Sequence, residues 1–196
     1  MTRSLALCLC MFLGYGAAQT TQGHQNALSE SVTRLNGALA DLRSTPEDRT
    51  VQTRYLEAFP ATYKEYLQLF DLDQPLYDGH EYVEAMSSLA NNHELAVGRL
   101  LVNLSKDAHY EADAPSYLQH ATCRFAGEHT KTFLSLLKRL PPVKQANLIT
   151  FLADVENHSA YPEYQVVIDR SKALGEVGLV HKFESARSQR EKQPHD

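Results

Sequence analysis

The chain has 196 residues, 43% of them hydrophobic, and 19 Lys+Arg against 24 Asp+Glu give a formal net charge of −5. That length suits one domain with a core of its own. An acidic balance without a concentrated basic stretch speaks against nucleic acid and anionic membrane surfaces as partners, because both need a positive face.

The first eighteen residues, MTRSLALCLCMFLGYGAA, have the three parts of a cleavable signal peptide. Arg3 gives a positive start, Leu5 to Leu13 form an apolar run, and Gly16-Ala17-Ala18 offers small residues ahead of cleavage before Gln19. The run is shorter than the roughly 20 residues that cross a bilayer, so no integral membrane segment is expected after cleavage. Lipidation at Cys8 or Cys10 would need a small preceding residue, whereas Leu7 and Leu9 stand there. The expected product is periplasmic or secreted, with 18 basic against 24 acidic residues (−6) and Cys123 as its one cysteine. A lone cysteine closes no internal disulfide, so the core alone must stabilise the domain.

The mature sequence reads as helices. From His24 to Arg43, Leu28, Val32, Leu35, Leu39 and Leu42 recur at spacings of four and three, interrupted only by Gly37. The chain restarts at residues 44–48, where Thr45 suits a cap, Pro46 the first helical position, and Glu47 and Asp48 the positive end of the dipole. Tyr55, Phe59, Tyr63, Tyr66 and Phe70 form an aromatic stripe that Pro60 must kink or divide. Residues 71–77 read as a loop, closed by Asp78 as cap of a helix carrying Tyr82, Val83, Met86 and Leu89. Asn91-Asn92 separates this from a helix with Leu95, Leu100, Leu101 and Leu104.

Asp113 then caps a helix with Pro115 in its first turn and Leu118, Ala121 and Phe125 on one side. A helix of Phe133, Leu134, Leu136, Leu137 and Leu140 is stopped by Pro141-Pro142. Another runs from Pro142 to near Glu156, and a last long one follows Tyr161-Pro162 through Leu174. Gly175 and Gly178 weaken its continuation, leaving a short helical turn with Leu179 and Phe183 and a flexible polar tail over 184–196. The expectation is therefore a single all-α domain over 19–183. It is either a multi-helix bundle or a short α-solenoid of stacked helical hairpins, since three helical pairs succeed one another without a residue-level repeat.

Candidate chemistry is sparse. His109, Glu111 and Asp113 alternate along an extended segment and would face one cation, but an ordinary interhelical loop whose last member caps the next helix is the favoured reading, since the spacing matches no established metal motif. His80 and Glu84 are neighbours across one helical turn, but no His-Glu-x-x-His occurs. Ser116, His120 and Asp113 lack a nucleophile elbow and a Gly-rich oxyanion turn. Cys123 is a free thiol that lies off the main stripe of its helix, as a second-face core residue or an exposed reactive group. Asn103-Leu104-Ser105 and Asn157-His158-Ser159 match the glycosylation triplet.

The aromatics are the most informative feature, since seven of fifteen in the mature chain fall between Tyr55 and Tyr82. Core packing accounts for such a stripe, yet Tyr rings with wet hydroxyls also suit a groove for a peptide, glycan or protein. The functional expectation is a non-enzymatic protein- or polymer-binding module that uses Tyr63, Tyr66, Tyr77 and Tyr82 and needs no cofactor. The alternative is a small exported metal-dependent hydrolase or metal-binding protein centred on residues 109–113.

Overall fold

In the computed structural model, the described residues are 15–77, 79–109, 114–154 and 162–192, with side chains from residue 25 onward. Among them every regular element is a helix: α1 (Tyr15–Ser44), α2 (Arg49–Ala58), α3 (Tyr63–Phe70), α4 (His80–Ser88), α5 (Ala90–Ser105), α6 (Ala114–Glu128), α7 (Thr130–Lys138), α8 (Pro142–Ala153), α9 (Pro162–Ala173) and α10 (Val177–Arg190). None is long and apolar enough to cross a membrane. The sequence assignments to Asp78, Asp113, Val155 and Glu156 lie outside the described residues.

Local chemistry sets the breaks. Asp48, and not Thr45, caps α2, its carboxylate accepting from Thr50 N at 2.7 Å and Val51 N at 3.3 Å. Asp48 stands immediately before Arg49, the first helical residue, whereas the Thr45 hydroxyl donates back to the Asp41 carbonyl at 3.1 Å. Pro60 does divide the aromatic stripe, with α2 ending at Ala58 and α3 starting at Tyr63. Thr62 and Glu65 close a capping box there, a T-x-x-E signal that sequence reading passed over. The break expected at Asn91-Asn92 falls at His93 (φ −134°, ψ 42°), inside α5. There the His93 imidazole meets Gln52 Oε1 at 2.8 Å, and Gln52, almost fully buried, donates onward to the Pro46 carbonyl at 2.6 Å. This polar node joins the start of α2 to the kink in α5.

The C-terminal segment departs from expectation. Gly175 adopts φ +74° after α9, which glycine does at little cost, and α10 then runs for 14 residues. Residues 184–190 are therefore helical, not a frayed tail. Leu179, Val180 and Phe183 bury one face, and polar ties do the rest: Arg190 to Asp154 at 2.5 Å, Lys172 to Glu184 at 2.8 Å, Lys182 to Gln145. Hydrophobic periodicity does not report ties of that kind.

The architecture is a bundle built around α5 and α6. Helix α5 packs on α2, α3, α4, α6, α7 and α8, and α6 on α4, α5, α7, α8 and α9, while α10 closes over α8 and α9. A solenoid of the pairs α4/α5, α6/α7 and α8/α9 places each pair against its immediate neighbours only, and the contact of α5 with α8, which skips a pair, breaks that rule. Gly98 permits the close approach of α5 to α6, since a Cβ there would lie 2.6 Å from Phe125 Cζ. Gln119, also buried, donates to the carbonyls of Phe151 (2.5 Å) and Asp154 (2.9 Å) and so ties α6 to the end of α8.

Candidate interaction surface

The aromatic stripe faces inward. Tyr55, Phe59, Tyr63, Tyr66 and Phe70 are all buried, and their rings form a chain with centroid spacings of 6.3 Å (Tyr55–Phe59), 5.9 Å (Phe59–Phe70), 5.0 Å (Tyr66–Phe70) and 6.3 Å (Tyr63–Tyr66). Tyr63 and Tyr66 are consequently core residues, not members of a binding surface. The hydroxyls explain why tyrosine stands where leucine would fill the space. Tyr55 donates to the Tyr82 carbonyl at 2.7 Å, Tyr66 to Ala114 O at 2.7 Å, and Tyr63 to His109 O at 3.2 Å. Each bond pins α2 or α3 to another part of the chain, and burial pushes the Tyr55 and Tyr66 phenols well above their ordinary range.

Tyr82 is half-buried. Its ring packs on Phe70 at 5.6 Å, its hydroxyl donates to Asn36 Oδ1 of α1 at 2.5 Å, and partial burial pushes its phenol upward. Tyr77 alone of the four chosen tyrosines is open, at 46% exposure.

His109 is exposed, its ring edge-on to Tyr63 at 5.6 Å, so the two regions singled out in the sequence do meet at one end of the bundle. Glu111 and Asp113 lie outside the described residues. Among the described residues no group of three His, Cys, Asp or Glu is placed to hold a metal ion. Cys123 is buried on α6 with its Sγ 4.0 Å from the Leu152 carbonyl, and burial pushes its thiol up to about 12. It is a protonated core residue, without the thiolate that reactivity requires. Asn103 is exposed and accepts from Lys106 Nζ at 3.0 Å, whereas Ser105 of the same triplet is buried against Thr122 at 2.9 Å. The second triplet, at 157–159, lies outside the described residues.

Two of the exposed large apolar side chains, Leu72 and Tyr77, stand on one turn, between α3 and α4. Asp71 ends α3 by donating its N–H to Leu67 O at 3.1 Å, and its carboxylate accepts from Leu72 N at 2.8 Å. Gln74 N donates to Asp71 O at 3.0 Å, Leu76 N to Leu69 O at 2.9 Å, and Tyr77 N to Gln74 O at 3.1 Å. Asp73 sits in the left-handed region (φ 62°), which Asp tolerates better than most residues. Leu76 is buried, and Gly79 lies so close to Phe70 that a Cβ would come within 2.2 Å of its ring. Tied in this way, the turn holds Leu72 and Tyr77 outward, with Leu72 61% exposed. Along the chain the turn lies in an acidic stretch: from Glu65 to Gly98 there are seven Asp and Glu and no Lys or Arg, with Arg43 of α1 reaching in to Glu81. Sequence reading recognised a loop here but passed over Leu72.

Next to this turn, a cleft of about 270 Å³ opens between α4, α6 and α9, lined by His80, Glu84, Tyr117, His120, Arg124 and Glu163. The His80 and Tyr117 rings lie 5.7 Å apart, and Arg124 Nη2 donates to Ser87 Oγ at 2.5 Å. Burial pushes the His120 imidazole below its ordinary range, with Glu163 opposing and Arg124 adding to the effect. The sequence offered His80 and Glu84 as helical neighbours. Glu163 arrives only through the packing of α9 on α6, which no local signal announces.

No family model, curated protein or solved structure matches this chain. The reading of the interaction surface therefore rests on the geometry of the turn.

Proposed function

We propose that the protein is an exported, non-enzymatic interaction module that engages a protein or polymer partner through the α3–α4 turn. The observation that carries this reading is the exposure of Leu72 and Tyr77 on a turn braced by five hydrogen bonds, four within the backbone and one to the Asp71 carboxylate, and anchored by buried Leu76. A braced backbone loses little further entropy when a partner covers the side chains it presents, and Tyr is among the residues that dominate interface energetics. Export is supported by Arg3, the apolar run to Leu13 and the small residues at 16–18.

Two measurements test the proposal. Intact mass of the exported protein should correspond to a chain starting at Gln19, and recovery of uncleaved protein in the cytoplasm would refute export. The purified mature chain, immobilised and exposed to extracytoplasmic fractions of the producing cell, should retain a defined partner. The double variant Leu72→Ser/Tyr77→Ser should lose that partner while Val143→Ser, altered at an exposed valine of α8, keeps it. Equal retention by all three proteins would sink the assignment of the turn.

A further inference from the structure

Resting on the reading of the α3–α4 turn as a binding surface, we infer that its partner is a polypeptide segment in which an apolar side chain is flanked by Lys or Arg. The physical reason lies in the neighbours of Leu72. Asp71 and Asp73 stand immediately on either side of it, and among the described residues neither takes part in an ion pair. The nearby Glu81 is already held by Arg43 at 2.5 Å. Any partner deep enough to cover Leu72 and Tyr77 draws the two aspartates into the rim of the interface and strips part of their water.

An apolar partner leaves those carboxylates uncompensated, an acidic one repels them, and a partner with cations at the rim repays the desolvation most fully. The same aspartates act against an anionic membrane or a nucleic acid, whose phosphates they repel. Leu72 and Tyr77 in turn require more than positive charge. A purely cationic polymer leaves both in water, whereas a peptide with a leucine-like side chain between lysines satisfies the apolar centre and the acidic rim together.

The test uses the full mature chain and three fluorescent helical peptides of equal length: one of Lys and Leu with the leucines on one face, one with Glu replacing Lys, and one with Ser replacing Leu. The Lys/Leu peptide should bind at least about tenfold more tightly than either control, and added salt should weaken it. Asp71→Asn/Asp73→Asn should reduce that binding and flatten its salt dependence; asparagine preserves the shape of both residues and tolerates the left-handed conformation at 73. Leu72→Ser/Tyr77→Ser should reduce it by about tenfold or more. Circular dichroism should show both double variants folded, since the altered side chains contribute little to the core.

Equal binding of the Lys/Leu and Glu/Leu peptides, or an unchanged affinity in Asp71→Asn/Asp73→Asn, overturns the basic-partner inference. If the turn variants still lose the native partner in that case, the binding surface stands and only the partner's chemistry is wrong. If native capture is insensitive to the turn as well, the underlying reading falls with it.

Discussion

Two parts of this bundle are held by different forces. Around α2 and α3, five aromatic rings pack in sequence and three phenolic hydroxyls each donate to a main-chain carbonyl elsewhere. Around α9 and α10 the apolar contribution is smaller. One ring pair, Tyr164 on Phe183 at 5.9 Å, with the Tyr164 hydroxyl bonded to Phe183 O at 2.8 Å, is surrounded by ion pairs and amide contacts. The first region rests chiefly on buried rings and hydrogen bonds to main-chain carbonyls, which salt screens little. The second depends on partly solvated charges, which salt screens and which contribute modestly. The contrast shows how one fold can keep a rigid platform beneath a surface turn while closing its far edge with looser polar ties.

That contrast can be broken first at its strongest points. Tyr66→Ala should destabilise the protein by about 3–5 kcal/mol in chemical denaturation, the range for emptying a large buried aromatic site. Phe183→Ala should fall in the same range but act locally, raising hydrogen exchange in α10 before the rest of the bundle. Gly98→Ala should cost about 1–3 kcal/mol, because its methyl must displace the Phe125 ring between α5 and α6. Tyr66→Phe should cost only about 1 kcal/mol, since it removes one hydrogen bond and keeps the ring.

Smaller effects sharpen the polar side of the comparison. Arg190→Ala, which removes the tie to Asp154, should cost about 1 kcal/mol or less, and the difference from wild type should shrink as salt is raised. Acid should loosen two carboxylate sites. Backbone hydrogen bonds from Thr50 and Val51 hold the Asp48 carboxyl below its usual range, and the hydrogen bond from Lys172 does the same for Glu184. A lowered folded-state pKa means that the stabilisation is present above the unfolded value and is lost as pH falls through the folded one. Acid titration followed by Tm should therefore show a loss below the normal carboxylate range that is reduced in Asp48→Ala.

The sequence carried the all-α class because prolines, caps and apolar spacing act locally. Pro60 and Pro141-Pro142 divide helices where their rings demand it. It did not carry the far end of α10, whose hold depends on Asp154, Gln145 and Lys172 reaching across from other helices. The candidate surface was half legible. Tyr77 stood among the chosen residues, but Tyr63 and Tyr66 are core, because helical spacing tells which side chains share a face and not what covers it. Leu72 was passed over because an apolar residue between two aspartates has no periodic partner. Its exposure follows from the turn geometry fixed by Asp71, Asp73 and Leu76.

Tyrosine nitration, mapped by peptide mass spectrometry on the native chain with and without the Lys/Leu peptide, tests the central claim most directly. Nitration should be rapid at Tyr77 and slow at Tyr55, Tyr63, Tyr66 and Tyr164, and the peptide should protect Tyr77. Nitration of Tyr63 or Tyr66 as fast as Tyr77, or a Tyr77 that saturating peptide leaves unprotected, would contradict it.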